Sequence, residues 1–355
     1  MSTSGSYPVV NGGINPSGFI ESYNEPRDTI SISQGGASAG YVAWQDTPFW
    51  AGAHCFVIRP NSKLIINRFL YFFLKNKESY LQQMQHGAGI PALNRDKVKE
   101  LKFPLVPIEV QEEIVRILDT FCAYAAELQA ELQARKEQYE YYRNLLLTFN
   151  PSACGCGTDG EQEIKANTTG EGFTPPLLIN VNVIWRTMGE IARIYSGSNK
   201  QKLSRGKFPV YGSTGIIAYC NNPTYRKQQI LIARVGANAG FTHLTTSDKY
   251  DVSDNTLIVD LNGIYNLKFI FHYLVNYNPN RLAKGGGQPL ITASEIKKIY
   301  IPIPPIEVQE KIVAILDRFE TLVNDLTQGL PAEIAAVRER YEYYRNKLLT
   351  FKRIA

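Results

Sequence analysis

Two glycine-rich runs in this chain carry small polar side chains on backbone that can approach a ligand closely. The first is Gly36-Ala-Ser38-Ala-Gly40 and the second is Gly236-Ala-Asn238-Ala-Gly240. Their backbone N–H groups, together with Ser38 and Asn238, could contact the phosphates or base edges of a nucleic acid. Glycine is equally required where a hairpin turn needs a positive φ angle. Both interpretations stay open, and both can hold for the same loop.

Basic and amide side chains near these runs extend the candidate contacts. Arg234 could make a bidentate contact with guanine, and it could equally clamp a phosphate or stay solvated. The lysines and arginines at 200–207 suit phosphate better than bases. The predicted DNA-binding residues are Gly36, Ser38, Gly40, His86, Lys200, Lys202, Arg205, Lys207, Ser213, Arg234, Asn238, Gly240, Lys284 and Gln288.

Signals for catalysis are weak by comparison. A DNA methyltransferase needs a Pro-Pro-aromatic motif, and Phe173-Thr-Pro-Pro176 has no aromatic residue after the prolines. No Walker lysine follows Gly285–Gly287, and no cluster of His, Asp and Glu suggests a metal nuclease. The five cysteines have no paired framework, which favours a reduced, cytoplasmic setting. We therefore expect no catalytic residue, no metal and no cofactor bound by this chain.

The elements that must position these residues occur twice. Pro107–Phe121 reads PIEVQEEIVRILDTF, and Pro305–Phe319 reads PIEVQEKIVAILDRF. Each leads into a second match, QYEYYRNLLLTF at 138–149 and RYEYYRNKLLTF at 340–351. A repeat of this length indicates a duplicated domain with its own helix, and not a short solenoid unit.

Apolar residues within each copy recur at steps of three and four, which is the a/d pattern of a coiled coil. The pattern predicts a helix over Glu109–Phe149 that is on the order of 60 Å long. In the second copy an extra step of four, with Gly329 and Pro331, predicts a broken or kinked helix. Two such helices most simply pack antiparallel, with an internal pseudo-two-fold. The predicted seam and partner-contact residues are Ile114, Leu118, Phe121, Leu128, Leu132, Tyr139, Tyr142, Leu146, Ile312, Leu316, Phe319, Leu326, Tyr341, Tyr344 and Leu348.

The residues outside these helices form two related globular blocks. In the first block Tyr7–Val10, Thr29–Ser33 and Cys55–Arg59 are typical of strands, and Asn67–Met84 is typical of a helix with Asn67 as its N-cap. The second block opens with Val183–Lys207, a segment that has no counterpart in the first. We predict an α+β protein with α/β domains at 1–104 and 183–304, helical segments at 105–150 and 305–355, and a flexible linker at 151–182.

Positive charge is concentrated on the two blocks. Residues 1–103 hold ten Lys and Arg against seven Asp and Glu, and residues 177–304 hold fifteen against six. The helices and the linker are net negative. This distribution is expected if the blocks meet a polyanion and the helices meet protein. A merely solvated basic surface is the alternative, and it fits the first block better than the second.

The paired motifs resemble the specificity (S) subunit of type I restriction–modification systems. The resemblance rests on the PIEVQE and YEYYRN stretches and on the glycine-rich run before each helix. A four-residue direct repeat, AELQ at 126–133, is similar to the spacer repeat of the type IC subclass. The resemblance implies that each block is a target-recognition domain reading one half of a bipartite double-stranded DNA sequence. It also implies that the subunit is not catalytic.

The same resemblance implies partners. The helices would recruit two methyltransferase (M) subunits, which bring S-adenosylmethionine, and restriction and translocase (R) subunits can join them. Two half-sites on one face of DNA lie about 34 Å apart, so a longer helix should widen the gap between them. Two alternatives remain, a coiled-coil scaffold that binds no DNA and a truncated or silent S subunit that acts as a dimer.

Overall fold

The computed structural model describes residues 5–87, 91–149, 163–165, 176–178, 181–198, 204–285 and 287–351. The chain divides into two compact units. Unit 1 comprises Met1–Glu131 and Leu330–Ala355, and unit 2 comprises Leu132–Gly329. The division falls within the helical segments and not at the domain edges of the sequence prediction, because helix ends pack into the domain cores.

Unit 1 contains two three-stranded sheets, in the orders β2-β1-β5 and β4-β3-β6. Strand β3 is central in the second sheet and pairs antiparallel with both neighbours, so Ile30 lies opposite Trp44 on one side and Ile58 on the other. The elements of this unit are β1 (Tyr7–Val10), β2 (Phe19–Ile20), β3 (Thr29–Ser33), β4 (Val42–Gln45), β5 (Trp50–Ala51), β6 (Cys55–Ile58), α1 (Asn67–Asn76), α2 (Glu78–Gln83), α3 (Arg95–Lys99), the first part of α4 (Ile108–Leu147) and α9 (Leu330–Leu348).

Unit 2 repeats this plan and adds to it. Its sheets have the orders β11-β10-β14, β13-β12-β15-β9 and β16-β8-β7. Strand β9 is a fourth strand on the sheet that corresponds to β4-β3-β6. The elements are the last part of α4, β7 (Glu163–Lys165), β8 (Asn182–Thr187), α5 (Met188–Ile191), β9 (Ala192–Ser196), β10 (Phe208–Gly212), β11 (Gly215–Cys220), β12 (Ile230–Ala233), β13 (Thr242–Leu244), β14 (Asp251–Val252), β15 (Thr256–Leu261), α6 (Leu267–Tyr277), α7 (Ala293–Lys297), β16 (Tyr300–Ile303) and α8 (Ile306–Asn324).

The α+β class, with two α/β domains and long helices, is confirmed. Strands stand at or within one residue of the three predicted positions in the first block. The predicted helix over 67–84 is instead two helices, α1 and α2, and Asn67 is not an N-cap. Ile66 holds that position, and the Asn67 amide donates to the carbonyl of Asp28 at 2.5 Å. The Asn67 side chain therefore makes a long-range hydrogen bond to Asp28 and does not cap the start of α1.

Helices α8 and α9 are separated at Asp325–Gly329, where the sequence predicts a break. The Asp325 carboxylate accepts hydrogen bonds from the backbone and the hydroxyl of Thr327. A Cβ on Gly329 would lie 2.4 Å from the carbonyl of Thr321, so only glycine fits. Leu326 lies in this turn and is 79% exposed, so the prediction that it is a seam residue is wrong. In the predicted linker, the described residues Glu163–Lys165 form a strand on β8.

In unit 1 the start of α4 packs antiparallel against α9. The rings of Phe121 and Tyr344 stack at 5.5 Å, and the Tyr124 hydroxyl donates to Glu333. The end of α9 then enters the domain core. There it packs against the start of α4 and against α1. The buried residues of this cluster are Phe69, Phe72, Ile114, Leu118 and Leu349, and Tyr341, Leu348 and Phe351 are partly buried against them.

In unit 2 the end of α4 packs antiparallel against α8 in the same way. The rings of Tyr142 and Phe319 stack at 5.6 Å, and Tyr139 lies on the same ring. The last turn of α4 and Phe149, which follows it, enter the core with residues of α6 and α8, and the cluster includes Leu146, Leu147, Phe149, Phe269, Ile312 and Leu316. Of the remaining predicted seam positions, Leu128 and Leu132 are buried. The two units thus contain the same contacts with the roles of the two helices exchanged.

A buried glutamine explains the repeated PIEVQE motif. Gln111 is fully buried, accepts a hydrogen bond from the Ile66 N–H, and donates to the carbonyls of Leu64 and Val106. Gln309 occupies the same place in unit 2, where it accepts from the Asn266 N–H and donates to the Pro304 carbonyl. Each amide joins the start of a long helix to the N-cap residue of an earlier helix of the same unit, which is α1 for Gln111 and α6 for Gln309. A buried amide with several partners is costly to replace, because those partners would lose their hydrogen bonds.

We expect Gln111→Ala to lower the free energy of unfolding by roughly 2–4 kcal/mol, since it removes three buried hydrogen bonds and leaves a cavity. Urea unfolding of the full chain, followed by circular dichroism, measures the change. The matched control is Glu112→Ala, at the next, exposed position. Equal midpoints for the two variants would contradict the role given to Gln111.

Candidate nucleic-acid interface

The glycine-rich run of unit 1 connects β3 to β4 and lies against a second segment. Gly36 donates its N–H to the Pro91 carbonyl at 2.8 Å, and Leu93 donates to the Gln34 carbonyl at 2.7 Å. His86 pairs with Ala92, so its exposed side chain lies on the same segment. The structure therefore brings the predicted residues Gly36, Ser38 and His86 to one surface.

Unit 2 builds the same surface from the loop between β12 and β13. Gly236 donates its N–H to the Pro289 carbonyl at 2.9 Å, and Lys284 pairs with Leu290. Lys284 and Gln288 are exposed on this segment, and Asn238 is exposed on the loop. Four of the predicted contacts in this unit thus share one surface, namely Arg234, Asn238, Lys284 and Gln288. We call it loop surface 2 (Arg234–Gly240 with Lys284, Gly285, Gly287 and Gln288), and its unit 1 counterpart loop surface 1 (Gln34–Gly40 with His86, Gly87, Pro91 and Ala92).

The glycines of each loop divide into two roles. All four have positive φ, from +80° to +92°. A Cβ on Gly240 would lie 2.2 Å from the backbone nitrogen of Asn280, and a Cβ on Gly40 would lie 2.9 Å from that of Gln82. A Cβ on Gly36 or Gly236 would meet nothing within 4 Å. The second glycine of each run is therefore required for packing, whereas the first leaves the backbone open to a ligand.

Arg234 and Gln34 occupy corresponding positions. Arg234 accepts a backbone hydrogen bond from Ile291 and donates one to Asn255, as Gln34 does with Leu93 and His54. The Arg234 guanidinium lies 3.4 Å from the Ser196 hydroxyl and is half-buried. The same backbone position thus presents an amide in unit 1 and a guanidinium in unit 2. Sequence reasoning missed Gln34, although its alignment with Arg234 across the repeat was a usable signal.

A charge pair sets the electrostatics of loop surface 2. The Lys284 ammonium lies 2.8 Å from the Glu295 carboxylate, and the lysine side chain is 81% exposed. Hydrogen bonds from Lys284 and from the Thr292 backbone lower the pKa of Glu295 to about 2. Glu295 is therefore ionised at neutral pH and offsets part of the Lys284 charge, so Arg234 is the stronger candidate for a nucleic-acid contact.

In unit 1 a polar cavity of about 310 Å³ adjoins loop surface 1. It is lined in part by Gln34, His86, Asn94 and Arg95. Arg95 is exposed and lies over the Phe56 ring at 5.5 Å. Sequence reasoning missed Arg95, because nothing in the local pattern places the start of α3 beside a loop that lies so far from it along the chain.

An aromatic row in unit 2 leads from loop surface 2 to β10. Phe241 is 53% exposed and stacks on His243 at 5.6 Å, and His243 lies 5.8 Å from the Tyr211 ring. Burial lowers the pKa of His243 to about 4, so the imidazole is neutral at neutral pH. The two ring nitrogens of His243 have no hydrogen-bond partner among the described residues. This row was not predicted.

The other predicted contacts lie elsewhere or cannot be placed. Arg205 and Lys207 are exposed beside the end of β11, where Lys207 donates its N–H to the Asn221 side chain. Ser213 is half-buried in the turn between β10 and β11. These three belong to a different sheet from loop surface 2. Lys200 and Lys202 lie outside the described residues.

One cluster in the described part of the chain has the geometry of metal ligands, namely His272, Asp317 and Glu320. Asp317 is already paired with the Lys268 ammonium at 2.5 Å. Unit 1 has an equivalent ion pair between Arg68 and Asp119 at 2.7 Å, without a histidine. The shared part of the cluster is therefore a bridge from the domain to the long helix, and it provides no argument for a bound metal.

A family model described as the type I restriction modification DNA specificity domain matches residues 2–138 and 182–336. The chain belongs to this family. Its function is accordingly DNA sequence specificity in a type I restriction–modification system. The type IC subclass stays a prediction.

Individual relatives agree with the family. The Escherichia coli EcoR124I/EcoR124II specificity subunit is 30% identical over 80% of this chain and 70% of its own length. A Haemophilus influenzae protein named as a type I restriction enzyme specificity subunit is 29% identical over 99% of this chain and 90% of its own length. The solved S subunit from M. genitalium shares the fold, with a TM-score of 0.62 and 18% identity over 99% of this chain and 91% of that one. No helix of the described residues is long and apolar enough to cross a membrane.

Gly236 and Gly240 should differ in how much substitution by alanine destabilises the chain. We expect Gly240→Ala to destabilise the chain by more than about 3 kcal/mol, because its Cβ would overlap the backbone of Asn280. Gly236→Ala should cost only about 1 kcal/mol, the strain of a positive φ angle in open space. Urea unfolding of both variants measures the difference. Equal costs would contradict the division of roles.

Proposed function

We propose that the two units are target-recognition domains and that each reads one half of a bipartite sequence in double-stranded DNA. The observation that carries this proposal is the pair of loop surfaces. Both are held by the same backbone hydrogen bonds, yet their outward side chains differ. Gln34 corresponds to Arg234, Ser38 to Asn238 and His86 to Lys284. One backbone geometry with two sets of polar side chains suits the reading of two different half-sites.

The side chains of Gln34 and Arg234, which occupy corresponding positions, suit different bases. Arg suits the O6 and N7 acceptors of guanine, and Gln suits the N7 acceptor and N6 donor of adenine. The open space around Gly36 and Gly236 would let a phosphate approach the backbone of each loop. We therefore assign Arg234 to a guanine in one half-site and Gln34 to an adenine in the other.

Phosphate contacts would come from the basic residues outside the loop surfaces. Arg205 and Lys207 are exposed, and fifteen Lys and Arg stand against six Asp and Glu in residues 177–304. Such charge supplies affinity that depends on salt and not on sequence. Lys200 and Lys202 would add to it, since they lie on the same stretch of sequence.

The long helices would recruit the partners. The repeated YEYYRN motif leaves Tyr141 56% exposed and Tyr343 58% exposed. Exposed aromatic rings at corresponding positions of two helices suit two copies of one protein partner. We propose that these partners are two methyltransferase subunits, which bind S-adenosylmethionine, and that restriction and translocase subunits join them. The chain itself would be non-catalytic, bind no cofactor, and act on DNA in the cytoplasm.

We expect Arg234→Ala to change or relax only one half of the recognised sequence, because it removes a contact made by unit 2. The matched variant Gln34→Ala should change only the other half. The measurement is co-expression of each variant with the methyltransferase subunit, followed by sequencing of methylated sites. A uniform loss of methylation at all sites would show that Arg234 contacts a phosphate, and a change in both halves would contradict the assignment of one half to each unit.

An added AELQ repeat after Gln133 should lengthen the unread gap and leave both half-sites unchanged. Four helical residues add about 6 Å, which corresponds to one or two base pairs. The same methylation mapping measures the gap. A variant with Ala130–Gln133 in shuffled order and unchanged length is the control. An unaltered gap in the lengthened chain would refute the proposal that the helix sets it.

A further inference from the structure

Unit 1 has an open apolar groove, whereas the corresponding surface of unit 2 is buried under other residues of that unit. The groove has a volume of about 450 Å³ and lies between β6, α1, α3 and the segment that follows α3. Its lining includes Ile58, Leu70, Val98, Leu101 and Phe103, all of them half-buried. We call it the β6 groove.

The duplicate in unit 2 shows what such a groove holds when it is filled. The residues corresponding to Leu70, Val98, Leu101 and Phe103 are Ile270, Ile296, Ile299 and Ile301, and none of these is more than 2% exposed. They share one core cluster with residues of the segment β8–α5–β9, namely Met188, Ile191, Ala192 and Ile194. The described residues of unit 1 contain no counterpart of that segment. The apolar surface of the β6 groove is therefore the surface that β8–α5–β9 covers in unit 2.

The backbone along this groove is an unpaired sheet edge. Gln34 donates its N–H to the His54 carbonyl, and in the antiparallel register of β3 and β6 hydrogen-bonded pairs alternate with unbonded ones. Val57 and Arg59 fall at the unbonded positions, so their N–H and C=O groups point away from β3. An edge of this kind is a template for an added strand.

Unit 2 has that added strand in the matching register. Gly197 donates its N–H to the Thr256 carbonyl, so Tyr195 and Arg193 of β9 bond to β15 opposite Ile258 and Asp260. Ile258 and Asp260 correspond to Val57 and Arg59. Pro60 would fall at a position whose nitrogen points away from the added strand, so it would not obstruct pairing.

The second edge of the groove is also compatible. In unit 2, β8 pairs with β16, and Pro302 lies opposite Trp185. Pro104 stands at the position of Pro302 in unit 1, so the same proline is tolerated in the paired state. Leu105, which corresponds to Ile303, is 60% exposed and would be covered by the same segment.

We propose that the β6 groove binds a strand–turn–strand segment of another polypeptide with the chemistry of Asn182–Ser196. The segment would add an antiparallel strand to β6 and place its apolar side chains over Leu70, Val98 and Leu101. A separate polypeptide is the source to which we commit, because Asn182–Ser196 itself is built into the core of unit 2 and is not available to unit 1 of the same chain. The bound state would give unit 1 the four-stranded sheet that unit 2 already has.

One electrostatic difference makes the proposal specific. Arg193 lies opposite Asp260 in unit 2, and it would lie opposite Arg59 in unit 1. Like charges directly opposite each other on paired strands are unfavourable. Arg59 already pairs with Glu25, which reduces this penalty. A segment with Glu in place of Arg193 should therefore bind unit 1 more tightly than the unit 2 sequence does.

The experiment uses the full chain and a synthetic, fluorescein-labelled peptide with the sequence of residues 181–198. Fluorescence anisotropy measures binding, and hydrogen exchange locates it. We expect saturable binding with one peptide per chain, and slower exchange at the amides of Val57 and Arg59. The Arg193→Glu peptide should bind more tightly, and the Tyr195→Pro peptide, which loses a backbone donor to β6, at least roughly tenfold more weakly.

Variants of the chain complete the test. Val98→Asp, inside the β6 groove, should abolish binding, and Ile14→Asp, at a 61% exposed position outside the groove, should not alter it. Far-ultraviolet circular dichroism checks that each variant is folded, and the peptide variants test the groove without altering the chain. Absence of saturable binding, or binding that Tyr195→Pro leaves unchanged, would overturn the proposal. So would a free chain that is a dimer with Val57 and Arg59 already protected, since a second copy would then be the occupant.

Discussion

Both units depend on burial of a helix end in the core of an α/β domain. In unit 2 the end of α4 buries Leu146, Leu147 and Phe149, and in unit 1 the end of α9 buries Leu349. Each large apolar side chain stabilises the fold by roughly 1.5–3 kcal/mol on full burial, and a whole domain is stable by only about 5–15 kcal/mol. Neither helix end can leave its core without a loss of comparable size. The fold of each domain therefore fixes the position of the helix end that is buried in its core.

This constraint separates the parts of each unit that must stay fixed from those that can vary. The buried amides of Gln111 and Gln309 and the packed glycines at 40 and 240 belong to the fixed part, since each has neighbours that no other residue satisfies. The outward side chains of the two loop surfaces make only contacts near the surface, such as those of Lys284 with Glu295 and of Arg234 with Ser196. They can differ, as Gln34 and Arg234 do, without cost to the core. A DNA specificity subunit needs this arrangement, because its target changes only through residues that the fold does not require.

Periodicity predicted the long helices and the break near Gly329 because a helix buries residues at regular intervals along its own sequence. It could not predict that Asn67 binds Asp28, or that Gln111 is buried, because those outcomes depend on residues brought close only by the fold. The same reason explains Arg95, whose place beside loop surface 1 follows from the topology. The prediction for Leu326 was wrong for a different reason. The a/d pattern was extended across Leu326, although Gly329 and Pro331 already indicated that the helix is interrupted there.

The duplication also provides each unit with an internal reference. Corresponding residues such as Val98 and Ile296 have similar apolar side chains and lie on corresponding helices, yet one is half-buried and the other fully buried. The difference lies in the segment β8–α5–β9, which only unit 2 has among the described residues. Unit 1 thus retains a surface shaped for a segment of that kind, with apolar side chains and unpaired backbone groups on the same edge of the sheet.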